Sequence, residues 1–140
     1  MRSLIYAVVL ALAAPLAAQA QTYRAVNDLN VVPLGGSTFE VIEARGEGPR
    51  GMWCAAAEYA ERRLGAKGRV YIRDARGPSR SVKGRKSVVF KTNAAALTQG
   101  PFRSTSLNTS QVGVGLPIAH AIQFCRRDDF DIINRLLRRD

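Results

Sequence analysis

The chain has 140 residues, of which 21 are basic and 11 acidic, so its formal net charge is +10. A length of this order is typical of one domain with a single modest core. The sequence holds one histidine, His120, and two cysteines. These counts exclude ribonuclease-type chemistry with two histidines and leave too few ligands for a four-ligand zinc site. We expect neither a metal nor a cofactor.

Residues 1–20 have the pattern of a cleavable secretory signal peptide. Arg2 supplies the positive charge, residues 4–16 are an apolar run, and Ala18 and Ala20 give the small-x-small pattern that a signal peptidase cleaves. The run of 13 residues is too short to span a bilayer, which takes about 20. No later stretch approaches that length, so we expect no transmembrane segment in the mature chain.

Composition indicates the compartment. Arginine outnumbers lysine 17 to 4, a bias that is common in GC-rich bacterial coding. We therefore expect an exported protein, located in the periplasm of a Gram-negative bacterium or outside the cell. Its mature part, residues 21–140, is expected to form a single globular domain.

Two short strands are predicted first, at residues 29–34 and 38–43, on either side of a Gly-Gly pair. Two glycines in succession accept the positive φ angles of a tight hairpin turn. In the second strand, alternation places Phe39 and Val41 toward the core and Glu40 toward solvent.

The clearest helix is predicted at residues 51–64. Apolar side chains between Trp53 and Leu64 recur at helical spacing on one face, whereas Glu58 lies opposite, where solvent is expected. Gly65 is well placed to end the helix, because glycine readily adopts the left-handed conformation there.

The second half of the chain predicts a hairpin followed by helices. Its strands are expected at residues 69–74, 87–92 and 112–116, and its helices at residues 117–127 and 129–139. Residues 75–86 form a loop, so the first two of these strands pair as a hairpin. Locally paired strands with separate helices indicate an α+β fold, with a small antiparallel sheet of about four to five strands, two or three helices and one disulfide.

Cys54 and Cys125 are the only cysteines. In an oxidising compartment such a pair most simply forms one disulfide. The chain has no Cys-x-x-Cys, so it lacks the motif of a thiol oxidoreductase. We predict that the bond ties the first helix to the penultimate one.

Positive charge is concentrated in residues 62–91, which contain 11 basic residues and a single acid, Asp74. Tyr71 lies between Arg69 and Arg73 on one strand face, beside a cationic loop, and such a face can hold an anionic polymer through charge and stacking. The alternative is that arginine-rich coding produces a charged surface that binds no ligand. The candidate binding residues are Arg69, Tyr71, Arg73, Arg76, Arg80, Lys83, Arg85 and Lys86.

No catalytic motif is found. The sequence lacks a Gly-x-Ser-x-Gly elbow, and Val82 occupies the position of the second glycine of a phosphate-binding loop. Glu40 and Glu43 point to opposite faces of a strand, and Glu58 and Glu61 lie on the polar side of a helix. Neither pair therefore has the arrangement of glycosidase carboxylates.

The leading hypothesis is a small exported, non-enzymatic domain that binds an anionic envelope polymer or an acidic protein through its basic hairpin. Nucleic acid is disfavoured because an exported protein seldom meets it. Two alternatives remain open: a small secreted hydrolase with His120 as general base, and a structural subunit of an envelope complex. The sequence assigns no catalytic residue and no oligomeric state.

The first prediction concerns export. The secreted protein should begin at Gln21, because the signal peptidase is expected to cleave after Ala20. The intact mass of the protein from the periplasmic or extracellular fraction measures this directly. A full-length chain retained in the membrane would contradict it.

Overall fold

The structure is a computed structural model that describes residues 21–126, and in this range the chain forms one seven-stranded sheet and two helices. The predicted signal peptide and the helix predicted at residues 129–139 lie outside the described residues. The strands are β1 (Tyr23–Arg24), β2 (Asn30–Gly35), β3 (Thr38–Ile42), β4 (Arg69–Pro78), β5 (Lys86–Lys91), β6 (Phe102–Arg103) and β7 (Val114–Pro117). The helices are α1 (Gly48–Arg62) and α2 (Ile118–Ala121), and a 3₁₀ turn, Ile122–Arg126, follows α2.

The strand order across the sheet is β1-β2-β3-β5-β4-β7-β6. All neighbours are antiparallel except β6 and β7, which run parallel. The mixed α/β character agrees with the sequence, but the predicted count of four to five strands is too low. The missed strands β1 and β6 have two residues each, and an alternating pattern cannot be detected over so short a segment.

The turn between β2 and β3 is the one that its glycines predict. Gly35 and Gly36 have φ angles of 108° and 55°, values that residues with a Cβ adopt only at a cost. The turn sets the register of the hairpin, in which Val31 pairs with Val41.

The β4–β5 hairpin is longer than predicted, because β4 continues to Pro78 and its loop covers only residues 79–85. The pairing of β4 with β5 shifts between Ile72 and Asp74 and again between Asp74 and Gly77. Such bulges interrupt the period-2 alternation. The apolar pattern therefore ends at Asp74 although the strand does not.

Helix α1 packs across the inner face of the sheet. Phe39 and Phe90 lie on this face, with ring centroids 6.1 Å apart. The Trp53 ring meets Phe90 at 5.1 Å, and the Tyr59 ring meets Phe39 at 4.6 Å. These tilted and edge-on contacts are the geometries that aromatic pairs prefer, and they fix the helix against the centre of the sheet.

The opposite side of α1 does not face solvent, contrary to the prediction for Glu58. This carboxylate is 4% exposed. It accepts hydrogen bonds from the Tyr23 hydroxyl at 2.5 Å and from the Val26 amide at 2.8 Å. Burial, and then the hydrogen bond to Glu58, raise the pKa of Tyr23. The segment before β2 therefore lies over the helix as a second layer.

The C-terminal part of the described chain completes this second layer. Cys54 of α1 and Cys125 of the 3₁₀ turn form the predicted disulfide, with their Cα atoms 5.1 Å apart. The single helix predicted at residues 117–127 is instead the short α2 followed by the 3₁₀ turn, and Ile118 and Ala121 are buried. Among the described residues, no helix is both long enough and apolar enough to cross a membrane.

The second prediction concerns the disulfide. Replacing both cysteines, Cys54→Ala with Cys125→Ala, should lower the free energy of unfolding by about 2–5 kcal/mol, the usual loss for a native bridge in a small secreted domain. Urea denaturation with and without a thiol reductant measures this. Reductant should destabilise the native protein and leave the double variant unchanged; a native protein that is insensitive to reductant under denaturing conditions would contradict the bond.

Candidate functional site

The eight candidate binding residues do not form one surface, since β4 carries them to different places. Arg69 and Tyr71 lie at the start of β4, beside β7, whereas Lys83 and Arg85 lie in the loop after its end. A strand of 10 residues spans about 30 Å. Tyr71 therefore lies apart from Lys83 and Arg85 and does not form with them the single compact face that the sequence suggested.

Tyr71 and Arg69 instead pack against β7. The Tyr71 ring lies over Gly115, where an added Cβ would be 2.4 Å from ring atom Cδ1. The Arg69 Nη2 atom donates a hydrogen bond to the Gly115 carbonyl oxygen at 2.9 Å. Because Gly115 has no side chain, the Tyr71 ring can lie directly over it, and its carbonyl oxygen binds Arg69.

The charge of Arg76 is neutralised by Glu43, which directly follows the end of β3. Its guanidinium donates two hydrogen bonds to Glu43, from Nε at 2.6 Å and from Nη2 at 2.9 Å. The hydrogen bond from Arg76, more than its charge, holds the pKa of Glu43 below the ordinary value. Paired side chains of this fork geometry are strongly oriented, so Arg76 contributes little free positive charge.

Glu40, which the sequence placed in solvent, is 0% exposed. The hairpin loop folds over it: the Arg80 amide donates to the carboxylate at 2.8 Å, and the hydroxyls of Ser81 and Ser87 donate as well. Burial alone would raise the pKa of Glu40, but these hydrogen bonds lower it below the ordinary value. A buried carboxylate therefore anchors the basic loop to the sheet.

Arg45, Lys83, Arg85 and Lys86 form what we call the tip cluster. All four are exposed, and none makes an ion pair within residues 21–126. Arg45, Arg85 and Lys86 line a polar cleft of about 280 Å³ between the end of β3 and the start of β5, together with Glu43, whose carboxylate is paired with Arg76. A hydrogen bond of 2.8 Å from the Glu43 amide to the Lys86 carbonyl oxygen holds the two sides of the cleft together.

Arg45 is the residue that sequence reasoning missed. It comes from a separate loop, 38 positions before Lys83 in the numbering, and only the fold brings the two together. Its φ angle is 58°, a left-handed conformation that non-glycine residues seldom adopt and that clusters at functional sites. Gly46 follows Arg45, and glycine is common in turns, but nothing in the sequence connects this turn to the hairpin.

Arg73 and Arg80 lie in a third place, on the outer face of the sheet near the β2–β3 turn. With Lys91 and Thr38 they line a groove of about 480 Å³. Asp74 lies between the two arginines, 2.8 Å from Arg80 and 3.7 Å from Arg73.

The other chemical candidates find no supporting partner among the described residues. His120 is exposed, and its ring contacts Phe124 edge-on at 5.4 Å; no carboxylate of residues 21–126 lies within ion-pair or hydrogen-bond distance of it. Cys54, Glu58 and Cys125 place their ligand atoms within 4.8 Å of one another. Because both sulfurs are joined in the disulfide, they provide no thiolate to bind a metal.

The third prediction tests the anchoring of the loop. Glu40→Gln should destabilise the protein by about 1–3 kcal/mol, because buried donors lose a charged acceptor. The folded protein holds the pKa of Glu40 below its ordinary value of 4.5. The stabilisation it provides is therefore present above pH 4.5 and is lost as the pH falls through the lowered pKa.

Urea denaturation between neutral and acidic pH measures this effect. The native protein should lose stability below pH 4.5 more steeply than Glu40→Gln, because the variant has no carboxylate to protonate there. Glu43 also contributes an acid-dependent loss of stability, since Arg76 lowers its pKa, but this loss is common to both proteins. Identical pH profiles for the two proteins would contradict the role of Glu40.

Comparison with known proteins adds no family to these observations. No known protein family, curated protein or solved structure matches this chain.

Proposed function

We propose that this protein is an exported, non-enzymatic binding domain that attaches to an anionic polymer of the cell envelope through the tip cluster. The observation that carries the proposal is the convergence of Arg45, Arg85 and Lys86 on one cleft. Exposed cations that face one another repel. A bound polyanion would relieve this repulsion and gain attraction from each of them.

The position of the cluster suits a polymer better than a small ligand. Lys83 and Arg85 lie in the hairpin loop and are exposed, and the cleft beside this loop is open and polar. Enclosed apolar walls are what small-molecule pockets usually offer. A chain of repeated negative charges can contact the loop and the cleft at the same time.

The disulfide supports export. Bonds of this kind persist in oxidising compartments such as the periplasm and the extracellular space, and the Cys54–Cys125 bond joins α1 to the 3₁₀ turn. An envelope polyanion, for example lipopolysaccharide, is the ligand class that a basic protein meets in these compartments.

The fourth prediction concerns retention on heparin, used as a soluble model of a polyanion. A tip variant should lose retention at low ionic strength while its melting temperature changes little, because exposed loop residues contribute little to the core. Its substitutions are Arg45→Gln, Lys83→Gln, Arg85→Gln and Lys86→Gln. Retention of the native protein should decline steeply with salt, since exposed charges are screened over about 10 Å at 0.1 M.

A control variant separates local from total charge. It removes the same number of positive charges at exposed positions away from the cleft, with Arg24→Gln, Arg62→Gln, Lys67→Gln and Arg103→Gln. This protein should be retained nearly as strongly as the native one. Equal loss of retention in both variants would show that bulk charge alone is responsible. Unchanged retention in the tip variant would show that the tip cluster does not bind the polyanion.

A further inference from the structure

We propose a second binding site, independent of the tip cluster, in the groove on the outer face of the sheet: it binds the phosphate group of a small phosphomonoester. The groove is lined by Arg73, Arg80, Lys91 and Thr38, with Leu34 and Ala96 on its apolar side. Its volume of about 480 Å³ is within the usual range of small-molecule pockets.

The groove and the tip cleft lie at opposite ends of β3 and β5. Thr38 pairs with Lys91 at the groove, and Ile42 pairs with Ser87 near the tip. The five residues of β3 separate these ends by about 13 Å. Substitutions at one end can therefore be read out independently of the other.

Backbone features bring the three cations together from separate elements. The β4 bulge after Ile72 turns Asp74 to the same face as Val89 and Arg73. Arg80 reaches this face because Glu40 pins its amide under the folded loop. Lys91, at the end of β5, lies opposite Thr38 on one side and Tyr71 on the other.

Asp74 orients Arg73 and Arg80, and each guanidinium keeps further N–H groups that do not contact this carboxylate. Its Oδ2 atom is 2.8 Å from Arg80 Nη2 and 3.7 Å from Arg73 Nη1. Although buried, this oxygen accepts no hydrogen bond of good geometry within the described part of the chain. The contacts are therefore ionic, and the guanidinium N–H groups remain available for an acceptor in the groove.

Lys91 gives the strongest indication of a ligand. It is 7% exposed, and its Nζ atom donates to the Ala95 carbonyl oxygen. No carboxylate of residues 21–126 makes an ion pair with it. Burying an ammonium group without a counter-ion is costly, and an anion held in the groove would supply that counter-ion.

Charge and shape select the class of ligand. The three cations of the lining outnumber the two carboxylates beside it, Asp74 and the buried Glu40, so the groove has a net positive charge. A phosphomonoester carries about −1.5 to −2 at neutral pH and three acceptor oxygens, whereas a carboxylate has one charge and two oxygens. Donors from three separate elements match the tetrahedral group. Leu34 and Ala96 would contact the body of the ligand.

Calorimetric titration of the secreted protein tests the site, with inorganic phosphate, glycerol 3-phosphate and dimethyl phosphate as probes. The first two should bind saturably, and the singly charged diester should bind at least about tenfold more weakly because it loses one charge-assisted contact. Lys91→Gln should weaken phosphate binding by about tenfold or more, since an amide keeps the bond to Ala95 but carries no charge. Arg73→Gln, at a half-buried position, should weaken phosphate binding to a similar extent. It replaces the Lys91 variant in the test if that variant does not fold.

Arg85→Gln is the matched control, because it removes one positive charge at the tip cleft. It should bind phosphate as the native protein does, and Arg73→Gln should be retained normally on heparin. Equal loss of phosphate binding in the control, or no saturable binding by the native protein, would overturn the site. Loss of heparin retention in the tip variant is a separate result, so either site can fail without the other.

Discussion

Helix α1 is buried along ten consecutive residues, 51–60. The other elements of the fold are placed so that they cover this part of the helix on all sides. A helix on one face of a sheet normally leaves a polar side in water. Here the N-terminal segment closes one part of that side through Tyr23 and Val26, and the 3₁₀ turn closes another through Cys125. The small alanine side chains of α1 allow both covers to approach closely. The disulfide therefore lies where α1 meets the 3₁₀ turn.

On the outer face of the sheet, the basic loop covers Glu40 of β3. Hydrogen bonds to this buried carboxylate hold the loop there, instead of apolar contacts. Glu40 and Glu58 are both buried carboxylates that bind a hydroxyl and a backbone amide from a segment distant in sequence. Charged acceptors form stronger hydrogen bonds than neutral ones, which offsets the cost of their burial. One glutamate holds the N-terminal segment on α1, and the other holds the basic loop on β3. The start of the loop, at Arg80 and Ser81, is consequently held against β3.

The sequence was most informative where a single local rule decides the structure. The Gly35-Gly36 turn, the inward residues Phe39 and Val41, and the helix ending before Gly65 all follow from backbone preference or period, and the structure has each of them. The disulfide followed from the count of cysteines. The two buried glutamates could not be predicted, because alternation assigns a side chain to a face and cannot show what lies over that face. The strand order and the β4 bulges depend on long-range pairing, which leaves no local pattern.

The same limit applies to the basic residues. Cations that are close in sequence are divided by β4 among its start, its middle and its loop, because a strand extends by about 3.3 Å per residue. Acids then decide which cations are free: Glu43, from outside the hairpin, pairs with Arg76, and Asp74, within β4, contacts Arg80. Arg45 and Lys91 enter the two basic surfaces from outside the hairpin loop. A run of positive charge in the sequence thus becomes two separate basic surfaces, and each is defined as much by the carboxylates near it as by the cations themselves.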